Sequence, residues 1–277
     1  MPEGPEVAFL KEYIHARFRG HVLKDIEIKW GRYVRHGPPA NYETFKESLP
    51  LKLTHIDRKG KVTFFHFDKG WCIISKLGMT GWWHAQRAER DKNDSSAWMP
   101  PERQNVQNVI MHFDHKALIY TDIRNFGTLT ITQDPKVIGA EMSKLAPDVM
   151  DHATTYRVFQ ERVAQKMSTR LLEDVLMDQT CLVCGIGNYL KAEILYAAKV
   201  SPRRPMNKVS QEEWRAIFNA AKRITRLMSK QIVKESTQGY IDSMKVYRRD
   251  TDPHGNIVMS HTAKNGRTTF WVPAVQT

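Results

Sequence analysis

Apolar residues near the N-terminus recur with helical spacing. Val7, Leu10, Ile14 and Phe18 lie three or four positions apart, which predicts an amphipathic helix with one buried face. Gly20 follows this run and predicts its end, because glycine commonly terminates helices. The chain is therefore expected to open on a helix.

Beyond this helix the hydrophobic pattern changes to period two, which is typical of half-buried strands. Residues 85–105 are polar and contain proline, so a long surface loop is predicted there. Short strands at this spacing favour a sandwich or barrel. The predicted strands are 21–30, 51–57, 61–67, 71–77, 106–113 and 117–123.

From about residue 150 the pattern becomes helical. Ser210 and Glu213 form a capping-box pattern, and the helix that they open continues through the apolar positions of 217–228. Strand-like runs then flank Lys264-Asn265-Gly266, and Asn-Gly between such runs predicts a β-hairpin. The whole pattern predicts an α+β chain with a β-rich N-terminal half, a helical middle and a C-terminal hairpin.

Charge adds a candidate partner to this picture. Among 277 residues, 42 Lys and Arg outnumber 30 Asp and Glu, giving a net charge of +12 and a pI near 9.6. The excess is +4 over residues 1–150 (22 basic, 18 acidic) and +8 over 151–277 (20 basic, 12 acidic). A basic surface attracts polyanions such as nucleic acid, although a basic protein without such a partner fits equally well.

Cysteine usage and hydropathy limit the compartment. Three cysteines form no disulfide framework and suit a reducing environment. Glu3 and Glu6 interrupt the N-terminus where the apolar run of a signal peptide would lie, and no stretch approaches the ~20 apolar residues of a membrane span. We expect an intracellular protein without a membrane partner, in the nucleus of a eukaryote or the cytoplasm and nucleoid of a bacterium.

The tip MPEGPEV carries candidate chemistry. If Met1 is removed, Pro2 has a free secondary amine, and such an α-amino group is partly neutral near pH 7. Its attack on C1′ of a nucleotide would expel the base and leave an iminium ion that promotes phosphate elimination, with Glu3 as general acid. A plainer interpretation stays open, because many proteins begin Met-Pro and glutamate in a first helical turn favourably meets the helix dipole.

Several motifs in fixed order decide between these interpretations. They are MPEGPEV, RKGK (58–61), LGMTG (77–81), YTDIRNFG (120–127), LMDQ (176–179) and GIGNYLKAEILYAAKVSP (185–202). Together they resemble the formamidopyrimidine-DNA glycosylase / endonuclease VIII family of base-excision repair enzymes over nearly the whole chain. The resemblance implies a two-layer β-sandwich, a helix-two-turn-helix domain and a terminal β-hairpin finger.

The resemblance also implies roles for residues at matching positions. Pro2 corresponds to the Schiff-base nucleophile, Glu3 to the acid-base residue and Glu6 to a support of the catalytic end. Lys61 matches the lysine that binds the phosphate beside the lesion, where a compact positive charge suits the task. Without the resemblance, a solvated lysine at a strand end is the ordinary interpretation.

Five further residues match the family's DNA contacts. Asn188 corresponds to an asparagine at a helix start, and the flanking glycines would let a phosphate approach that helix N-terminus; alone, it reads as an N-cap. Met79, Arg124 and Phe126 match residues that fill the void left by a flipped base, although a Met or Phe is more often core. Arg267 matches the finger arginine that contacts phosphate.

The resemblance breaks at the finger. Most members end in a four-cysteine zinc finger, but no cysteine follows Cys184, and the C-terminal segment resembles the zincless finger of some endonuclease VIII-like members. Because a structural zinc site needs four ligands, we interpret Cys181 and Cys184 as small buried hydrophobes, and His112 and His115 as structural. No metal and no cofactor are expected.

The lesion is less well determined. STQGYIDSM (236–244) is short where the 8-oxoguanine-removing branch typically has a long lid, and this favours oxidised pyrimidines. The loops 77–81 and 123–127 resemble the other branch, although Asn125 replaces its second arginine. Ring-opened purines and hydantoins therefore stay open as substrates.

The sequence predicts a bifunctional DNA glycosylase/AP lyase that acts as a monomer on damaged double-stranded DNA, with single-stranded or bubble DNA as further substrates. The alternative is a catalytically inactive DNA-binding or repair-scaffold protein with the same fold; a metal-dependent regulator or nuclease lacks a convincing ligand cluster. The predicted domains are a catalytic domain at 1–133, a linker at 134–152, the helix-two-turn-helix domain at 153–240 and the finger at 241–277.

Overall fold

The computed structural model describes residues 2–86, 106–234 and 243–277. The chain divides into two compact units. Pro2 and residues 10–142 form the N-terminal unit, whereas residues 3–9 and 143–277 form the C-terminal unit. A short piece of the N-terminus thus belongs to the same unit as the second half of the chain.

The first helix, α1 (Gly4–Phe18), follows the predicted spacing. Its four apolar positions are at most 1% exposed. The chain leaves the helix through Gly20, which has a φ of +83°, a conformation that glycine adopts without steric cost. The predicted helix and its end are both confirmed.

The N-terminal unit contains one antiparallel sheet that folds into two layers. The strand order is β5-β7-β6-β1-β2-β3-β4-β8, and β1 joins the layers through two residue pairs with β2. Inward side chains from the two layers meet, as where the Phe65 and Trp83 rings lie 5.2 Å apart. The strands are β1 (Val22–Ile28), β2 (Leu51–Lys59), β3 (Val62–Phe67), β4 (Cys72–Lys76), β5 (Trp82–Gln86), β6 (Val109–Phe113), β7 (Lys116–Thr121) and β8 (Thr128–Thr132).

All six predicted strands are present, and the β-sandwich is confirmed. Two strands were not predicted: β5, where Trp82-Trp83 obscures the alternation, and β8. Residues 85 and 86 of the predicted loop at 85–105 belong to β5, and the remaining residues, 87–105, lie outside the described residues.

Three helices in the N-terminal half of the chain were not predicted. They are α2 (Arg32–His36), α3 (Tyr42–Glu47) and α4 (Pro135–Lys144). Helix α4 occupies half of the predicted linker at 134–152. It contacts β2 through polar groups, since Lys59 Nζ donates to the Met142 carbonyl at 2.8 Å. Because the helix has no buried residues, its sequence shows only a weak hydrophobic pattern, and it was not predicted.

The C-terminal unit is built on helices. Its capping box is formed as predicted: the Ser210 amide donates to Glu213 at 2.8 Å, and the Glu213 amide donates to Ser210 Oγ at 3.2 Å. Within the described ranges, no helix has the length and hydropathy needed to cross a bilayer. The helices are α5 (Tyr156–Lys166), α6 (Leu172–Val175), α7 (Asn188–Ala198) and α8 (Gln211–Lys234).

The predicted hairpin is also present. Strands β9 (Met259–Thr262) and β10 (Thr268–Trp271) pair antiparallel. The Gly266 amide donates to the Ala263 carbonyl at 2.9 Å, and Gly266 has a φ of +74°. Asn265 does not share this positive φ, so the connection is a turn followed by a left-handed glycine rather than a two-residue type I′ turn.

The cysteines and the strand histidine behave as structural residues. Cys72, Cys181 and Cys184 are buried and free. Burial raises the pKa of the Cys181 thiol, with Asp178 acting in the same direction, which keeps the thiol protonated and inert. His112 lies on β6, where its Nε2 is 2.6 Å from the carboxylate of Glu27.

Candidate active site

The carboxylate of Glu3 lies on the first turn of α7. Its Oε2 accepts the amides of Gly187 at 2.7 Å and Leu190 at 3.2 Å, and its Oε1 accepts the amide of Tyr189 at 2.9 Å. Amides in a first helical turn lack partners inside the helix, and the helix dipole favours an anion there. We call this set of three bonds the N-terminal clamp; it holds Glu3 at 1% exposure.

Glycines make the N-terminal clamp sterically feasible. A Cβ on Gly187 would lie 2.3 Å from Glu3 Cδ, so any side chain there would displace the carboxylate. The Gly4 amide donates to the Gly185 carbonyl at 2.8 Å, and Gln179 Oε1 accepts the Gly185 amide at 2.9 Å. The MPEGPEV, LMDQ and GIGN motifs therefore form one local structure.

Glu6 supports the same end of α1. Its Oε2 accepts the Glu3 amide at 3.1 Å and the Tyr189 hydroxyl at 2.9 Å. Its Oε1 is buried, and no hydrogen-bond partner faces it from the described residues. Pro2 precedes this arrangement directly and is half-buried.

Asn188 occupies a different position from the one that the sequence indicated. The N-cap of α7 is Gly187, and Asn188 is the first helical residue. Its Nδ2 donates to the Thr268 carbonyl at 2.9 Å, whereas its buried Oδ1 meets no hydrogen-bond partner among the described residues. The N-cap interpretation was wrong, and Glu3 takes the amides at which a phosphate was expected.

Charged and polar pairs hold the C-terminal hairpin, β9 and β10, against α6 and α7. His261 Nε2 lies 2.8 Å from the carboxylate of Glu173, which is 3% exposed. Closer to the turn, Asn265 Nδ2 donates to Asp174 at 2.8 Å. Two acids of α6 thus hold the hairpin at β9 and at its turn.

Lys191 adds a buried cation to this contact. It is fully buried, and its Nζ donates to Thr269 Oγ1 on β10 at 2.8 Å. Burial lowers its pKa to about 8, against the opposing effects of Glu173, Glu3 and Asp174. Arg267 contributes a smaller lowering and lies directly after the hairpin turn, with its amide bonded to Asn265 Oδ1 at 3.0 Å.

In the N-terminal unit, Lys61 lies at the tip of the β2–β3 hairpin. Lys59 pairs with Val62, so Gly60 and Lys61 form a two-residue turn. Gly60 has a φ of +57°, as expected for glycine at the first central position of a type II′ turn. The turn places Lys61 at the end of a rigid hairpin.

The loops 77–81 and 122–127, here called the loop pair, pack against each other. A Cβ on Gly78 would lie 2.6 Å from the Gly127 amide nitrogen, so only glycine permits this approach. Buried Asp122 joins the loops, because it accepts the Thr80 hydroxyl and, at 2.6 Å, the Gly127 amide. Asn125 adopts a φ of +56°, which asparagine tolerates better than arginine.

The loop pair exposes an aromatic ring. Phe126 is 54% exposed, and the guanidinium carbon of Arg124 lies 4.7 Å from its ring centre. Met79 follows Gly78, at which an added Cβ would lie 3.0 Å from the Cβ of Phe126. The structure thus brings the three predicted void-filling residues into one pair of loops, and Phe126 is not a core residue.

Comparisons with known proteins agree with this arrangement. The formamidopyrimidine-DNA glycosylase N-terminal domain matches residues 1–129, the H2TH domain 145–240 and the C-terminal domain 242–277. The formamidopyrimidine-DNA glycosylase of Desulfitobacterium hafniense is 26% identical over the full length of both chains. That of Streptococcus pneumoniae is 31% identical over 79% of this chain and 74% of its own length.

The chain belongs to the formamidopyrimidine-DNA glycosylase / endonuclease VIII family. A solved structure of the Lactococcus lactis formamidopyrimidine-DNA glycosylase, non-covalently bound to DNA containing an AP site, has the same fold. Its TM-score is 0.82 at 24% identity, over 99% of each chain. The glycosylase family assignment and the fold that the sequence motifs predicted are both confirmed.

Within this glycosylase-family fold, three supporting residues were missed from the sequence. Asp122, Gln179 and Lys191 each lie inside a motif that identified the family, but the motifs gave them no role. A buried acid, amide or lysine has to be paired, so their presence in otherwise apolar or glycine-rich stretches was the available signal. Their partners lie on other elements and could not be identified from the sequence.

Proposed function

We propose that this chain is a bifunctional DNA glycosylase/AP lyase that removes oxidised bases from damaged duplex DNA. The observation that carries the proposal is the N-terminal clamp. It fixes the carboxylate of the residue next to Pro2 with three backbone amides at 2.7, 2.9 and 3.2 Å. Immobilised groups beside a nucleophile are what covalent catalysis requires.

In the proposed reaction, the neutral Pro2 nitrogen attacks C1′ of the damaged nucleotide. The bond between C1′ and the base breaks, and the base leaves with the electron pair and takes up a proton. The proton released from the Pro2 nitrogen passes to the Glu3 carboxylate and then to the ring oxygen O4′, whose bond to C1′ opens. The product is an iminium ion that links Pro2 to the sugar.

The iminium ion then drives strand cleavage. It acidifies C2′, and loss of a C2′ proton expels the 3′ phosphate by β-elimination. A second, δ-elimination expels the 5′ phosphate, and water releases the sugar fragment from Pro2. No external oxidant or cofactor is needed, because every step is a proton transfer, addition or elimination.

The DNA contacts in this proposal follow the predicted roles. Lys61 and Arg267 bind phosphates, consistent with their placement at a hairpin tip and after the finger turn. For Asn188 the same role follows from the family resemblance alone, because Glu3 occupies the amides of that helix start. Met79, Arg124 and Phe126 fill the space left by the flipped base, which the exposure of Phe126 supports. The net charge of +12 favours association with the DNA backbone.

Oxidised pyrimidines are the proposed preferred lesions, with hydantoins and ring-opened purines as further substrates. This preference is predicted partly from the short segment 236–244, most of which lies outside the described residues. A panel of duplexes containing thymine glycol, 8-oxoguanine, its hydantoin products or an abasic site tests this preference. Higher single-turnover excision of 8-oxoguanine than of thymine glycol would contradict it.

Borohydride trapping tests the chemistry. Reduction should capture a covalent complex of the untagged protein with lesion-containing DNA, and a Pro2→Gly, Glu3→Gln double variant should lose it. Glu12→Gln is the matched control, since Glu12 is an exposed carboxylate on α1 that pairs with Lys11. Tight DNA binding by the wild type without trapping or cleavage would instead support the inactive scaffold.

A further inference from the structure

Three potential metal ligands meet on the outer face of the β2–β3 hairpin. His55 lies directly opposite His66 in the register of the two strands, and Asp57 follows two positions after His55. Cross-strand partners and residues at i and i+2 share one face of a sheet. The pattern His-x-Asp facing a histidine is visible only once the strand register is known.

The three side chains converge at close range. Asp57 Oδ2 lies 3.4 Å from Nε2 of His55 and 3.4 Å from Nε2 of His66. The two imidazole rings are parallel within 4°, with centres 4.2 Å apart. The side chains of His55 and Asp57 are about half exposed (48% and 50%), so an ion has direct access from solvent.

A hydrogen bond to Thr54 orients the ring of His55 so that its Nε2 faces Asp57. Thr54 Oγ1 donates to the His66 carbonyl at 2.9 Å and also lies 3.1 Å from His55 Nδ1. Because the hydroxyl proton is already used, a neutral His55 donates from Nδ1 to Thr54 Oγ1, and its Nε2 lone pair then lies on the side of Asp57. A metal-bound histidine typically has such an outer partner on its other nitrogen.

His66 presents a second lone-pair donor. Its Nε2 is buried, and no hydrogen-bond partner for it occurs among the described residues. A neutral imidazole carries a lone pair on one of its ring nitrogens, which can serve as a metal ligand.

We propose that His55, Asp57 and His66 form a binding site for one first-row transition-metal ion, with Zn²⁺ as its occupant. Two imidazoles and one carboxylate are a donor set that zinc accepts readily, with water completing the tetrahedron. The ion would connect the two strands of the hairpin that ends in Lys61. This inference is independent of the catalytic proposal.

Calorimetric titration of tag-free protein with ZnCl₂ tests the site. The wild type should bind one Zn²⁺ per chain, and His66→Asn and Asp57→Asn should each weaken binding at least ten-fold. His112→Asn is the matched control, because His112 is also a sheet histidine beside a carboxylate and should leave Zn²⁺ binding unchanged. MgCl₂ should give no binding heat, since Mg²⁺ prefers oxygen ligands.

Two further measurements keep the proposal falsifiable if a variant folds poorly. Zn²⁺ should raise the Tm of the wild type by about 2–4 °C, and Cu²⁺ as a spectroscopic probe should show nitrogen coordination by electron paramagnetic resonance. The proposal is overturned if the wild type shows no saturable 1:1 binding. It is also overturned if the exposed-site variant Asp57→Asn folds normally and retains wild-type affinity for Zn²⁺.

Discussion

In both the N-terminal clamp and the loop pair, the missing Cβ of a glycine permits a close approach, but the two approaches have opposite effects on side-chain exposure. At Gly187 the missing Cβ admits a carboxylate, and Glu3 becomes 1% exposed. At Gly78 the missing Cβ admits the backbone of a second loop, and Phe126 is left 54% exposed. Glycine thus serves to bury a charged group in one region and to present an apolar one in the other.

The difference teaches how the two regions are to be tested. A buried carboxylate that accepts three amide hydrogen bonds should lose its function when its charge is removed or when a side chain fills the space at Gly187. An exposed aromatic ring on rigid loops contributes little to folding, so its removal should affect DNA processing alone. Activity and stability, measured side by side, therefore distinguish the two kinds of site.

The largest effect is expected for Glu3→Gln. Its amide nitrogen cannot accept a backbone N–H, and it cannot transfer the proton that O4′ requires, so single-turnover lesion cleavage should fall by roughly 10²–10⁴. Electrophoretic binding assays should show nearly unchanged affinity for a tetrahydrofuran-containing duplex. Cleavage within three-fold of the wild type would show that Glu3 is only structural.

The next effect is expected for Gly187→Ala. The new Cβ would lie 2.3 Å from Glu3 Cδ, and displacement of the carboxylate by about 1 Å should slow cleavage on the order of 100-fold. Gly139→Ala is the control, because a Cβ at Gly139 in α4 meets nothing within 4 Å. Equal rates for these two variants would mean that the clamp is irrelevant to the reaction.

A smaller effect is expected for Phe126→Ala. Loss of the stacking surface should reduce lesion excision by roughly 5- to 100-fold, while urea denaturation should show a stability change within about 0.5 kcal/mol. Phe45→Ala provides the contrast, because Phe45 is fully buried and its truncation should cost about 3–5 kcal/mol. A similarly large stability loss in Phe126→Ala would place the ring in the core.

The smallest effect is expected for the pH dependence of folding stability at Lys191, which contacts the finger. Burial holds the pKa of Lys191 at about 8, below its usual value, so between about pH 8 and 10.5 the unfolded chain binds a proton that the folded chain has released. Stability contributed by Lys191 should therefore rise across that window, by about 1–2 kcal/mol between pH 7.5 and 9.5. Urea midpoints of the wild type and Lys191→Met give this difference.

Lys136→Met is the control for the pH experiment, since Lys136 is an exposed residue of α4. Its stability difference from the wild type should be the same at both pH values. If the difference between wild type and Lys191→Met is also constant, the lysine has no anomalous titration in the folded state.

Local patterns carried much of the fold. Features that depend on neighbours in the chain were predicted. They are the helix of Val7 to Phe18, six of the eight sandwich strands, the Ser210–Glu213 capping box and the hairpin around Asn265-Gly266. Helix α4 was not predicted because none of its residues is buried. A helix that shows no hydrophobic face gives periodicity nothing to detect.

The candidate site divides in the same way. Motifs supplied the residue positions, but the N-terminal clamp joins Glu3 to amides 184 to 187 positions away, and no local signal reports such a contact. Asn188 was assigned as an N-cap from residue preference alone, although Gly187 holds that position because Glu3 supplies the capping oxygen from outside the helix. The predicted domain boundaries and DNA contacts stay predictions.

The proposed function requires covalent chemistry at the Pro2 nitrogen, and peptide mapping of a borohydride-reduced complex tests this requirement most directly. Mass spectrometry should find the DNA-derived adduct on a peptide that begins at Pro2 and lacks Met1. Fully active protein that retains Met1, or an adduct found only on a lysine such as Lys61, would contradict the proposed mechanism.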